Sequence, residues 1–207
     1  MPGRPAAQRR VWLLPAALAE VVAGAPVPAC AADAREIVAS HCQACHGEGG
    51  NSVVPMFPKL AGLQGEYLDK QLRDFLSGKR KNEAMAPALA QIKESDIAGL
   101  AAYYAAQKPA AGKPDNDKLV PAGKLMYDDG NTQSGVPACQ GCHQPAAEGN
   151  ERYPRLAGQH AGYAATQLKL FKTGGRTNDR AKVMRSVAER MTDDEIAAVA
   201  EFLASIP

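Results

Sequence analysis

Apolar positions recur at helical spacing in two stretches of this chain that can be laid over one another. Ile97, Leu100, Ala101 and Tyr104 fall at i, i+3, i+4 and i+7, and Ile196, Val199, Ala200 and Leu203 repeat the pattern, which puts four side chains on one face of a helix. The segments Glu66 to Leu76 and Gly162 to Phe171 also read as helices. Each runs into a glycine, Gly78 or Gly174, suited to a left-handed stop. Thr192 and Glu195 have the spacing of a capping box, and Ser95 or Asp96 offers a cap to the first copy. No stretch alternates apolar and polar residues as a half-buried strand would, so the pattern predicts an all-α fold.

The repetition extends well beyond these helices. Leu60-Ala61-Gly62 matches Leu156-Ala157-Gly158, and at the same offset Tyr67, Leu72, Phe75, Gly78, Arg80 and Asn82 match Tyr163, Leu168, Phe171, Gly174, Arg176 and Asn178. A three-residue insertion in the second half then brings Met85 onto Met184 and Ile97 onto Ile196. A tandem duplication follows, with one domain over 32–108 and the other over 119–207. Between them, 109–118 carries Pro109, Pro114 and polar residues, the composition of an exposed linker. Domains this small bury little apolar surface by themselves and need a further source of core.

Ahead of the repeats stand Arg4, Arg9 and Arg10, a nine-residue apolar run from Val11 to Ala19, and small residues leading to Ala29-Cys30-Ala31. This is the pattern of a signal peptide over 1–31, since a membrane-spanning helix needs about 20 apolar residues. It implies a periplasmic protein. The general export route fits better than the twin-arginine one, because a chain that acquires covalent cofactors after export must cross unfolded. Val27-Pro28-Ala29-Cys30 loosely resembles a lipid-attachment site, an alternative that would leave Cys30 acylated and the protein peripherally associated with the membrane. Cleavage after Ala31 removes three of the 24 basic and one of the 22 acidic residues, so the mature side chains sum to zero. Basic charge thus belongs to the leader, and nucleic acid gains no support as a partner.

Five cysteines in an exported chain would ordinarily suggest disulfides. Four of them instead form Cys42-Gln43-Ala44-Cys45-His46 and Cys139-Gln140-Gly141-Cys142-His143, one in each repeat. In this spacing two thiols on one helical turn form thioethers to haem vinyl groups and the next residue offers an imidazole to iron. A four-thiolate zinc site or a redox dithiol would use the cysteines. Neither accounts for a histidine after both pairs. The reading is therefore two covalently bound haem c groups, with His46 and His143 as iron ligands. For the opposite axial position, Met85 and Met184 are the methionines at equivalent places after the two motifs, 39 and 41 residues beyond the histidines. The competing role is that of a flexible core filler. Met56 has no methionine counterpart, Met126 precedes its motif, and Met191 aligns with Ile92 and reads as packing. His160 aligns with Gln64 and reads as a surface residue. Iron closed by His and Met has no open position for substrate, which points to an electron carrier rather than an enzyme and away from a dihaem peroxidase.

Cys42 to Asn51, Phe57-Pro58-Lys59-Leu60-Ala61-Gly62, Gly135 to Cys139, Tyr153 to His160 and Gly175 to Asp179 together resemble the dihaem cytochrome c4 family, two class I cytochrome c domains in tandem, over nearly the whole mature chain. The resemblance implies that Pro58 and Pro154 accept the proximal imidazole N–H through their carbonyls, and that Lys59, Arg80, Arg155 and Arg176 approach haem propionates. It implies electron transfer in a respiratory chain, from a respiratory donor complex to a haem-copper terminal oxidase. The other reading is a cytochrome subunit of a flavocytochrome or dehydrogenase complex. One departure is Gln144, where the family carries glycine after the second haem histidine; it puts that loop's conformation in question.

Overall fold

The computed structural model describes Met1, Gly3 and residues 34–207. The expected leader, Cys30 included, otherwise lies outside the described residues. Every regular element among them is helical, and the only sheet-like pairing is one isolated bridge between Asn131 and Val136. The longer helices are α1 (Gly65–Leu76), α2 (Ile97–Ala105), α3 (Val120–Asp129), α4 (Ala161–Thr173), α5 (Val183–Ala188) and α6 (Asp193–Ser205).

Two apolar clusters form, each confined to one half of the chain. The first gathers Ala34, Val38, Cys42, Leu63, Leu68, Ile92, Leu100, Ala101 and Tyr104. The second is larger and centres on Tyr127, Ala147, Ile196, Val199, Ala200 and Leu203. The residues expected on one face of each last helix are all buried, Ile97 and Ile196 completely. In the second half α3 and α6 cross so closely that a Cβ on Gly123 would lie 1.9 Å from the Ala198 carbonyl oxygen.

The caps explain where the helices begin and end. Glu195 N–H donates to Thr192 Oγ1 (3.2 Å) and Thr192 N–H donates to the Glu195 carboxylate (2.7 Å), so α6 starts with the full capping box. In the first copy Asp96 works the other way from a forward cap. It stands where Glu195 does and reaches back to accept from Lys93 N–H (2.7 Å), because Lys93 replaces Thr192 and has no oxygen to give. Gly174 closes α4 in the left-handed conformation (φ 77°), and Gly78 follows α1 with φ 73°.

The halves meet through polar bonds that repeat with approximate twofold symmetry. Arg80 donates to Gln71 in its own half (2.8 Å) and to Tyr163 (3.0 Å) and Gln167 (3.1 Å) in the other. Arg176 donates to Gln167 in its own half (2.9 Å) and to Tyr67 (3.1 Å) and Gln71 (3.0 Å) across the junction. Lys59 N–H donates to the Gln159 side chain, whose amide returns to the Lys59 carbonyl, both at 3.0 Å. His160 is half-buried rather than a surface residue: its Nε2 donates to the Ser52 carbonyl in the other half (3.0 Å). The proline-containing connection is mostly exposed but pinned, since Lys59 Nζ donates to the carbonyls of Ala110 (3.3 Å) and Ala111 (2.9 Å).

Candidate functional site

The first Cys-x-x-Cys-His run closes a continuous helical stretch over 34–46, which widens to a π-helix at Val38–Cys42 before tightening at Gln43–His46. Such a bulge inside a helix is frequently found at functional positions. The second run ends in the short helix Gln140–His143. Both place the histidine at the last helical residue, buried, with one cysteine a turn before it and the other immediately before it.

Each imidazole is fixed by the same contact. His46 Nδ1 donates to the Pro58 carbonyl and His143 Nδ1 to the Pro154 carbonyl, both at 2.9 Å. With the proton on Nδ1, Nε2 carries a free lone pair. That of His143 is buried with no hydrogen-bond partner, a costly state for a polar atom. Burial pushes both imidazoles below the ordinary histidine range, opposed by the proline carbonyls. Two neutral, oriented nitrogens of this kind are what an iron ligand requires.

No disulfide joins these four cysteines. Burial raises Cys42, and raises Cys139 to about 11. Among the described residues no three His, Cys, Asp or Glu side chains converge on a point that could hold a metal ion. A single zinc site made from both pairs is therefore not present there, and each pair serves its own half.

Gln144 answers the question its presence raised. It takes φ 70° and ψ 158°, nearly the conformation of Gly47 (φ 75°, ψ 171°), so the turn after the histidine is retained despite the side chain. A Cβ on Gly47 would lie 2.5 Å from the Asn51 carbonyl oxygen. In the second half the carbonyl of Gln144 instead accepts from the Tyr127 hydroxyl (2.5 Å). The strain of a non-glycine residue here is borne by surrounding packing.

The methionines separate by environment. Met126 and Met191 are buried in the second apolar cluster, and Met56 is 71% exposed. Met85 and Met184 are half-buried and belong to neither cluster. Met85 ends the turn Glu83–Met85, and its N–H donates to the Asn82 side chain (3.2 Å). Met184 lies in the first turn of α5, after Ala181 and Lys182, whose positive φ values (49° and 59°) take up the inserted residues. Asp179 holds that loop by accepting from Arg185 N–H (3.1 Å) and Nε (2.7 Å).

Of the four cations expected near propionates, Arg80 and Arg176 meet at the junction, where they share the side-chain oxygens of Gln71 and Gln167. The sequence pattern marked the two arginines but not those shared partners, which only the meeting of the two halves reveals. Arg155 Nη2 donates to the Pro207 carbonyl (3.0 Å), while its Nε is buried without a partner.

The cytochrome c family model matches residues 31–107 and again 121–207. The chain is 45% identical over 177 residues to cytochrome c4 of Azotobacter vinelandii, covering 80% of this chain and 84% of that one. It is 40% identical over 174 residues to a thiosulfate dehydrogenase electron acceptor of Thiomonas intermedia, covering 82% and 80% of the two chains. The crystal structure of reduced recombinant cytochrome c4 from Pseudomonas stutzeri superposes with a TM-score of 0.81 at 37% identity, covering 86% of this chain and 98% of that one. Duplicated helical halves, twin Cys-x-x-Cys-His turns and these relatives agree: the chain belongs to the dihaem cytochrome c4 family of electron carriers, two tandem cytochrome c domains holding two haem c groups.

Proposed function

We propose that Cys42 and Cys45 attach the first haem and Cys139 and Cys142 the second, with iron held between His46 and Met85 in one lobe and between His143 and Met184 in the other. The lobes are 32–108 and 119–207, joined by 109–118. The observation that carries this reading is the pair of buried histidines turned by Pro58 and Pro154 so that Nε2 points away from its only bonded partner. The half-buried placement of Met85 and Met184, outside both apolar clusters, supports them as the opposite ligands.

Bound haem supplies a one-electron couple whose potential methionine raises relative to a second histidine. The protein's part is to hold the imidazole tautomer, exclude water and neutralise the propionates. Two guanidinium groups bonded to shared neutral oxygens at the junction form a cationic cradle for such carboxylates. The function is electron transfer in a periplasmic respiratory chain, from a respiratory donor to a terminal oxidase. The described residues include no helix long and apolar enough to cross a membrane, which fits a carrier that diffuses or associates peripherally.

A second reading has one specific support, the 40% identity to a thiosulfate dehydrogenase electron acceptor: the chain would take electrons from a dehydrogenase partner. Stopped-flow reduction by thiosulfate dehydrogenase, compared with oxidation by membranes containing a terminal oxidase, separates the two. For the ligands, Met85→Ala and Met184→Ala are each expected to remove one of two sulfur-to-iron charge-transfer bands. Persistence of both bands in either variant overturns the assignment.

A further inference from the structure

The two lobes differ at one place where the last helix meets the loop after the haem motif. Leu60 and Ala61 N–H donate to the Gly50 carbonyl (2.8 and 3.2 Å), as Leu156 and Ala157 N–H donate to the Ala147 carbonyl (2.8 and 3.1 Å). Gly62 N–H donates to the Tyr104 carbonyl and Gly158 N–H to the Leu203 carbonyl, each at 2.9 Å. These bonds make Gly50 the spatial equivalent of Ala147, and Tyr104 that of Leu203.

The two differences are concerted. Ala147 is completely buried at φ 54°, beside the smaller Leu203. Gly50 sits at φ 81°, and a Cβ there would lie 2.7 Å from the Tyr104 ring. The ring in the first lobe thus fills space that a methyl group fills in the second. With it comes a hydroxyl: Tyr104 is 4% exposed, and its Oη is buried without a hydrogen-bond partner.

Leaving a buried hydroxyl unpaired is costly. A phenylalanine would fill the same space without that cost. The Cys42 sulfur shares its apolar cluster; burial raises both groups, Tyr104 lowers Cys42, and Cys42 raises Tyr104 further. The phenol accordingly keeps its proton. Near Cys139 a different hydroxyl, that of Tyr127 on α3, is committed to the Gln144 carbonyl (2.5 Å).

We propose that the Tyr104 hydroxyl, in the same buried cluster as Cys42, is a tuning donor that would act on the first haem and not on the second. The inference rests on Cys42 being an attachment residue. A donor at the haem periphery favours the more electron-rich state, so it raises the potential of the first haem. Bound haem would supply the one-electron couple, oxidising the donor protein by one electron as it is reduced, and the Tyr104 hydroxyl would keep its proton throughout.

The test is a spectroelectrochemical titration of the haem-loaded protein, each haem followed by its own paramagnetic NMR methyl signals. Tyr104→Phe keeps the ring and removes the donor. We expect a several-fold drop in the reduction equilibrium constant of the first haem, where tenfold corresponds to 59 mV for one electron, with the second haem unchanged. Unchanged potentials, or an equal shift of both haems, overturn the proposal. The mirror variant Ala147→Gly/Leu203→Tyr should raise the second haem's potential and leave the first alone; no shift there counts equally against it. The attachment reading fails separately: Cys42→Ser/Cys45→Ser protein that still carries two haem masses overturns that reading whatever the potentials do.

Discussion

Replacing Arg176 with methionine removes one half of the clasp between the lobes. Arg176 is 7% exposed, and its guanidinium donates within its own lobe to Asn178 (3.0 Å) and Gln167 (2.9 Å), and across the junction to Tyr67 (3.1 Å) and Gln71 (3.0 Å). Hydrogen bonds from a charged donor contribute about 1.5–3 kcal/mol each, so the two crossing bonds supply about 3–6 kcal/mol before costs. Stacking over the Phe171 ring at 4.6 Å adds about 0.5–2 kcal/mol. Against this stands the desolvation of a buried guanidinium, several kcal/mol that the variant no longer incurs, and methionine retains the packing of the stem. Gln71 still receives Arg80 and Asn178, and Gln167 still receives Arg80, but the Tyr67 hydroxyl and the Asn178 side-chain oxygen lose their donor. The expected net loss is about 2 kcal/mol, located at the junction rather than in either core. Guanidinium unfolding of the haem-loaded protein, followed by far-ultraviolet circular dichroism and Soret absorption, should show a lower midpoint or a split into two transitions as the lobes uncouple. Arg80→Met should behave alike, and the double variant should depart from additivity, since both arginines share the same acceptors. A single transition at an unchanged midpoint would refute the claim that these bonds join the lobes.

Two further outcomes follow from local geometry. Gln144→Gly relieves a conformation that costs a side-chain-bearing residue about 1–3 kcal/mol, less the added flexibility of the unfolded chain, about 0.4–1 kcal/mol; thermal unfolding should move upward by about 1 kcal/mol of stability, and a lower melting temperature would contradict the strain. Burial holds His160 below its ordinary value of 6.5, opposed by its bond to Ser52. The fold therefore prefers the neutral ring: its contribution is complete above the unfolded value and is lost as pH falls below it. His160→Gln should flatten the stability profile in that acid window, measured by urea unfolding against pH, whereas an unaltered slope would assign the effect elsewhere.

The sequence by itself determined the all-α class, the duplication and the two Cys-x-x-Cys-His turns, because these are local. Helical periodicity is written in residues one turn apart, and Cys-x-x-Cys-His needs only one turn to present its groups. Thr192 with Glu195 was legible for the same reason. What the tertiary structure alone decided involves residues far apart in the chain. Arg80 and Arg176 were visible as matched cations, but their sharing of Gln71 and Gln167 depends on how the two halves meet. His160 looked superficial until the first lobe supplied the Ser52 carbonyl. Likewise Gly50 and Tyr104, 54 positions apart in the sequence, become one steric decision only when the last helix returns across the haem loop: the space left by a missing methyl group in that loop is the space the ring occupies.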